Sequence, residues 1–418
     1  MITVSETLNV TSQINWEKAI KFLHTDFFNN LYESIINISG EKRSHMRVAH
    51  IADVHLGAPH SYLGDRADMR RKDFEVTFER VTTFCLDPGN SIDALIIAGD
   101  LFDTSDPPSS LVGFVEKNLS QLVHRGIHVL VVPGTHDAYA YKKSVYRTYE
   151  FPGVDIFCTP HLTPVVKEIS GRKVFFYGIA CIPGCGGNPF ESFAPVPEEG
   201  IHIGIIHGSL ESPLHWKRRE TFFMTADDVA RSHLDYLALG HYHTFQQVMC
   251  GKTLAVYPGS LEGRTLSEVG DRYLITADFG NRTPHIEKIP VNTRTIKEIS
   301  LNTNEYPFES LEDVVISLKN YADPRSIVSA RIKGSTDIVL DTQYIEEILS
   351  PHFFYITVKD ETTVTDSALT RAWNKERTIR GMFTRKLLDR ITTAEGEEKA
   401  LLEEALKIGT THFKKVSQ

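Results

Sequence analysis

The chain has 418 residues, 41% hydrophobic and 24% charged, which is enough for a sizeable core in two or three domains and excludes a disordered, collagen-like or membrane-spanning protein. Its 45 basic and 54 acidic residues leave a net charge of −9, so a surface coated in positive charge for indiscriminate nucleic-acid binding is excluded too, although a local basic patch is not. There is no uncharged apolar run of about 18 residues and no secretory leader pattern; the five scattered cysteines (Cys85, Cys158, Cys181, Cys185, Cys250) fit a reducing compartment, and a cytoplasmic protein is expected.

Residues 1–45 open polar and then place Trp16, Ile20, Phe22, Leu23, Phe27, Phe28, Leu31 and Ile35 at roughly helical spacing, which predicts one or two appended amphipathic helices. A domain begins at Met46. Apolar runs predict strands at Val48–Ala52, Ala94–Ala98, His128–Val132, Lys173–Gly178, Ile201–Ile206, Tyr236–Leu239, Leu254–Tyr257, Tyr273–Ala277 and His285–Pro290, with helices at Met69–Cys85, Ser109–Arg125 and Thr225–Ser232. Continuous apolar strands with polar residues at their C-terminal ends predict an α/β domain over 46–290, its chemistry on the loops that follow the strands. Cys181 and Cys185 lie close in a glycine-rich loop, but no second pair follows to complete a zinc site.

From 291 to 365 the texture changes. Strands at Ser326–Ile332 and Phe354–Lys359 and helices at Ser310–Tyr321 and Thr342–Leu349 predict a small α+β cap domain. Residues 366–418 read as a helical tail. From Arg371 onward it holds eleven basic and seven acidic residues, a local charge of +4 in an otherwise acidic chain.

Five short motifs place metal-binding side chains just after predicted strands: Asp53-Val54-His55, Gly99-Asp100-Leu101-Phe102-Asp103, Gly134-Thr135-His136-Asp137, His207-Gly208 and Gly240-His241-Tyr242-His243. Singly, each is weak. Converging on one sheet edge, they gather several aspartates and histidines, a set that mutual repulsion forbids without cations. Mixed oxygen and imidazole donors suit manganese, iron or zinc, and the donor number suits two ions.

This ordered set, from Asp53 to His243, resembles the calcineurin-type metallophosphoesterases, and DVHLG, AGDLFD and YPGS (Tyr257–Ser260) are similar to the DNA-repair exonucleases typified by bacterial SbcD. The resemblance implies a layered α/β sandwich of two sheets flanked by helices, with a cap domain and a helical tail. It implies two divalent ions, manganese first among the candidates, one held by Asp53, His55 and His243, the other by His207 and His241, with Asp100 between them. The family's asparagine ligand is replaced here by Thr135, a shorter and poorer neutral donor. His136 becomes the proton donor to the leaving oxygen, Asp137 its orienting neighbour, and Asp103 a support of the turn.

The function so implied is a metal-dependent DNA nuclease, a 3′-to-5′ exonuclease with some endonuclease action. It would partner an SMC-like or ring-forming ATPase docked on the tail, and the N-terminal stretch would serve a homo-oligomeric contact. The alternatives are a phosphodiesterase or phosphatase on nucleotides or phosphoproteins, and a scaffold that has lost activity, the reading that Thr135 raises. Candidate DNA contacts are Arg70, Arg71 and Lys72, where the alternative is a solvated helix start, and Trp216, Lys217, Arg218 and Arg219, where it is a surface loop with Trp216 packed inward.

Overall fold

The computed structural model describes residues 45–181, 187–210, 221–280, 283–306, 308–336, 338, 340–363 and 368–416. The expected N-terminal helices, Cys185 and the candidates Trp216, Lys217, Arg218 and Arg219 lie outside the described residues. Among the described residues no helix is long and apolar enough to cross a membrane.

The chain alternates strand and helix as its apolar runs predict: β1 (Arg47–Ile51), α1 (Ala67–Leu86), β2 (Ala94–Ala98), α2 (Ser109–His124), β3 (His128–Val132) and β4 (Val154–Ile156). There follow β5 (Thr163–Ile169), β6 (Arg172–Gly178), β7 (Ile201–Leu210), β8 (Phe222–Met224), α3 (Ala226–Arg231), β9 (Tyr236–Gly240), β10 (Gln246–Cys250), β11 (Thr253–Tyr257), β12 (Tyr273–Asp278) and β13 (His285–Pro290). They form two sheets, ordered β13-β12-β1-β2-β3-β4 and β10-β11-β9-β7-β6-β5, with β8 paired to β7.

The strands β1 to β4 run parallel, as do β6, β7, β9 and β11. Parallel strands need covering on both faces, and their sequences supply apolar side chains to both. In the first sheet, Ile51, Leu95, Ile97, Val129 and Val131 pack on Phe74, Phe78 and Val81 of α1 and on Val115, Leu119 and Leu122 of α2. The opposite faces of the two sheets meet through Val48, Ile96, Leu130 and Val132 against Val174, Phe176, Ile203, Ile205 and Val256. The strand ends therefore gather along a seam between two sheets, rather than on one sheet edge as the motif spacing alone predicts.

Beyond Val291 come β14 (Ile296–Asn302), α4 (Leu311–Lys319), β15 (Asp323–Ser335), α5 (Thr342–Leu349) and β16 (Phe353–Thr363). The three strands pair β14-β15-β16, all parallel, so this unit consists of two β-α-β crossovers. Its core joins Ile299, Val328, Ala330, Ile332 and Val358 to Val314 and Leu318 of α4 and Ile345 and Leu349 of α5. The tail comprises α6 (Ala368–Asn374), α7 (Ile379–Thr393) and α8 (Gly396–Val416). Phe383, Leu387, Leu388 and Ile391 of α7 pack on Leu402 and Leu406 of α8, while Ile379 and Met382 stay exposed at 78% and 63%. Lys407 binds back to Asp360 and Thr362 of β16.

One expected DNA contact is overturned here. Arg70 is fully buried: its guanidinium lies 2.8 Å from Glu262, donates to the Gly263 carbonyl at 2.9 Å and reaches Asp73 at 3.4 Å. Arg70 lies on the inner side of the helix start, beside the buried Asp73. Arg71 and Lys72 point outward, paired with Asp68 and Glu75 of the same helix. Removing one member of a buried pair leaves the other charge stranded. Arg70→Ala should therefore cost about 3–5 kcal/mol of stability, whereas Arg71→Ala should leave the denaturant midpoint nearly unchanged. Equal midpoints for the two variants in urea unfolding would contradict this assignment.

Candidate metal centre

The site is assembled by backbone that stops being strand. After β1 the chain does not stay extended: Asp53 and His55 adopt φ of 51° and 49°, and Asp100, after β2, adopts φ of 51°. Left-handed conformations are costly for residues with a Cβ, and here they are held by cross-loop hydrogen bonds. Asp53 N–H donates to the Gly99 carbonyl at 3.1 Å and His55 N–H to the Asp100 carbonyl at 2.9 Å. This kinked ladder brings both side chains into the seam, which simple strand alternation does not explain. From the other sheet, Gly240 allows the approach of β9, since a Cβ there would strike the Ala98 carbonyl and the His207 ring.

Asp100 lies at the centre, 2% exposed. It accepts from the His136 N–H at 2.8 Å and the Thr135 hydroxyl at 3.3 Å, and its Oδ2 lies 3.4 Å from His207 Nε2 and 3.7 Å from His55 Nε2. Asp53 accepts from the His241 N–H. Three sets of donor atoms converge closely enough to share an ion: Asp53 with His55 and His243, Asp53 with Asp100 and His207, and His55 with Asp100 and His136. His241 is in none of these sets; its ring stands edge-on to His207 at 5.4 Å between centroids.

The imidazoles are oriented for metal. His207 donates Nδ1–H to the Ala98 carbonyl at 3.0 Å, and His243 donates Nδ1–H to Glu268 at 3.0 Å. His55 turns Nδ1 toward Asp103 at 3.1 Å. Each ring thus presents Nε2 to the cluster, where His55 and His243 face each other at 3.3 Å and the buried His207 Nε2 makes no hydrogen bond. Two nitrogen lone pairs at that distance, or a lone pair against a carboxylate, repel unless a cation lies between them. The residues therefore fit divalent ions, with protons as substitutes when ions are absent. Burial disfavours charge on both His207 and His243, yet the carboxylates of Asp100 and Asp53 around the first, and of Glu268 and Asp53 around the second, raise both pKa values. His241, where burial is reinforced by the charge of His207, falls to about 4.

Asp137 plays a different part from the one expected. It accepts from the N–H groups of Gly134 and Phe102 and from the Tyr146 hydroxyl, so it braces the loop, and burial followed by the nearby charge of Asp100 lifts its pKa to about 6. His136 instead donates Nδ1–H to the Asp103 carbonyl at 3.1 Å, with the Asp103 carboxylate at 3.6 Å. Asp103, not Asp137, orients this half-exposed imidazole. Two residues at the site escaped the sequence reading, Glu268 and Arg264, both in the loop after β11. Burial opposes the charge of Glu268, but His243 and the Arg264 N–H outweigh it and hold its pKa at about 2.

Residues 46–245 match the family described as calcineurin-like phosphoesterase. The uncharacterized metallophosphoesterase YhaO of Bacillus subtilis is 27% identical over 352 residues, covering 77% of this chain and 83% of that protein. DNA double-strand break repair protein Mre11 of Sulfurisphaera tokodaii is 26% identical over 272 residues, 62% of this chain and 67% of that protein. Its namesake from Methanopyrus kandleri is 28% identical over 242 residues, 54% and 51% of the respective lengths.

Two outcomes follow from this geometry. Glu268→Gln removes the charge that fixes the His243 tautomer and should weaken manganese binding by roughly 10- to 100-fold; an unchanged affinity by titration calorimetry would show that the pair is incidental. Because the surrounding carboxylates raise the proton affinity of His207 and His243, an ion competes with protons for these rings, and metal binding should release protons and weaken as pH falls. Binding enthalpies that do not vary with buffer ionisation enthalpy would rule this out.

Proposed function

We propose that this chain, in which residues 46–245 form a calcineurin-like metallophosphoesterase domain, is a metal-dependent DNA nuclease. The observation that carries the reading is the inward convergence of Asp53, His55, Asp100, His207 and His243 on a buried seam where only cations relieve the repulsion. The choice of DNA is supported by the relatives named as double-strand break repair proteins.

In this reading Asp53, His55 and His243 would hold one divalent ion and His207 and His241 another, with Asp100 available to both. Such ions, when bound, would supply Lewis acidity, lowering the pKa of water and offsetting negative charge on the phosphoryl oxygens. Thr135 occupies the position of an amide ligand but gives its hydroxyl to Asp100, so its contribution is to fix that carboxylate. His136 is 40% exposed at the mouth of the site, and with Nδ1–H held by Asp103 its Nε2 delivers the proton that the leaving oxygen needs.

We assign the polarity as 3′-to-5′ with some endonuclease action, and the tail as a docking segment for a ring-forming ATPase, a role for which Ile379 and Met382 stand exposed among arginines. A homo-oligomer and a cytoplasmic location complete the proposal. A phosphatase or small-molecule phosphodiesterase would share the core chemistry, and substrate choice separates them.

End-labelled duplex DNA, a phosphodiester reporter and a phosphomonoester reporter, each with manganese and with magnesium, provide the test. The full-length protein should degrade DNA, with the monoester the poorest substrate. Asp100→Ala should abolish metal binding and cleavage together, while His136→Gln should retain metal and lose rate by about 10²- to 10⁴-fold. Preference for the monoester would favour the phosphatase reading, and no cleavage of any substrate with metal bound would favour an inert scaffold.

A further inference from the structure

Among the described residues, Arg264 is the one arginine or lysine whose side chain contacts a proposed metal-ligand side chain. Its Nη1 lies 3.2 Å from His55 Nε2 and its Nη2 donates to Asp103 at 2.7 Å. Its N–H donates to Glu268 at 3.0 Å, so the loop carrying it is tied to His243 through Glu268 and to His55 through Asp103. The same Asp103 carboxylate lies beside His136. The guanidinium is therefore fixed next to the candidate proton donor and aimed at the lone pair that a metal ion would take.

We propose that Arg264 is a phosphate-binding residue, whose guanidinium holds a non-bridging oxygen of the scissile phosphodiester. This inference rests on the nuclease reading above and deepens it. A mere brace between loops needs only the bond to Asp103. With His55 Nε2 engaged by an ion, Nη1 would lose its acceptor, while Asp103 keeps the planar group oriented and leaves Nη1 to donate to a phosphate oxygen. Charge points the same way. Asp53, Asp100, Asp103 and Glu268 contribute four negative charges, which two divalent ions cancel. Arg264 adds a positive charge beside them, complementary to the negative charge of a phosphodiester.

The test uses the full chain and its Arg264→Ala and Arg264→Lys variants. Calorimetry first measures manganese affinity, then binding of inorganic phosphate to the manganese-saturated protein; steady-state kinetics follow on the phosphodiester reporter. Arg264→Ala should bind manganese as tightly as the parent or more tightly, since a competing cation is gone. Its phosphate affinity should fall by about 10- to 100-fold, as expected for a charge-assisted hydrogen bond, with KM rising more than kcat falls. Arg264→Lys should recover part of the loss, keeping charge without the fork. Unchanged phosphate affinity, or lost manganese affinity, would overturn the proposal and leave Arg264 as a brace. If Arg264→Ala does not fold, the lysine variant still decides: full parental phosphate affinity and KM would refute the need for a fork. If the parent cleaves no phosphodiester, the nuclease reading falls, while phosphate titration of the metal-loaded variants still judges Arg264.

Discussion

A single buried carboxylate, that of Asp100, is where the two sheets have to agree. It leaves the end of β2 in one sheet, accepts hydrogen bonds from the loop after β3 in that sheet, and faces His207 from β7 in the other. A carboxylate so deeply buried is tolerable only with positive charge around it. Everything nearby serves that need. The left-handed turns bring His55 alongside, the glycines let the backbones close in, and the carbonyls and carboxylates behind the rings fix which nitrogen faces inward. Divalent ions would complete an arrangement that is otherwise a collection of mutually repelling donors.

Much of this was legible in the sequence because its signals are local. The parallel strands of both sheets are continuous apolar runs, so β2 and β3 lie where the pattern predicts, and motifs sit at their ends. The missed strands carry weaker signals: β10 is an edge with four of its five residues exposed, and β5 and β14 alternate too finely to stand out in isolation. Long-range partners left no trace. Arg70 reads as one charge in a mixed helix start, and its burial against Glu262 depends on a residue nearly two hundred positions away. Glu268 lies 25 residues beyond His243 in a loop without a motif, and Arg264 shares that loop. Asp137 was misassigned because adjacency to His136 in sequence does not fix direction in space.

The loop after β11 joins the site to the rest of the molecule. Its Glu262 anchors on Arg70 of α1 and on Thr77, and a few residues later it delivers Arg264 and Glu268. Asp73, also on α1, receives Arg294, whose guanidinium stacks on Phe354 of the small parallel sheet at 3.5 Å. Leu63, Ile296, Ile327 and Phe354 form the apolar seam beside it. The small unit is therefore fastened to the same helix that supports the loop beside the cluster, so movement of one is constrained by the other.

The left-handed turns at Asp53, His55 and Asp100 carry an evolutionary consequence. Each holds a side chain in a backbone region that glycine occupies more cheaply, by about 1 kcal/mol per position, and each adds a buried charge or imidazole that the apoprotein must accommodate. A catalytic role would keep these residues in place against a steady pull from folding stability. Glycine at these turns would ease the backbone while removing the donor atoms that the seam is built to hold.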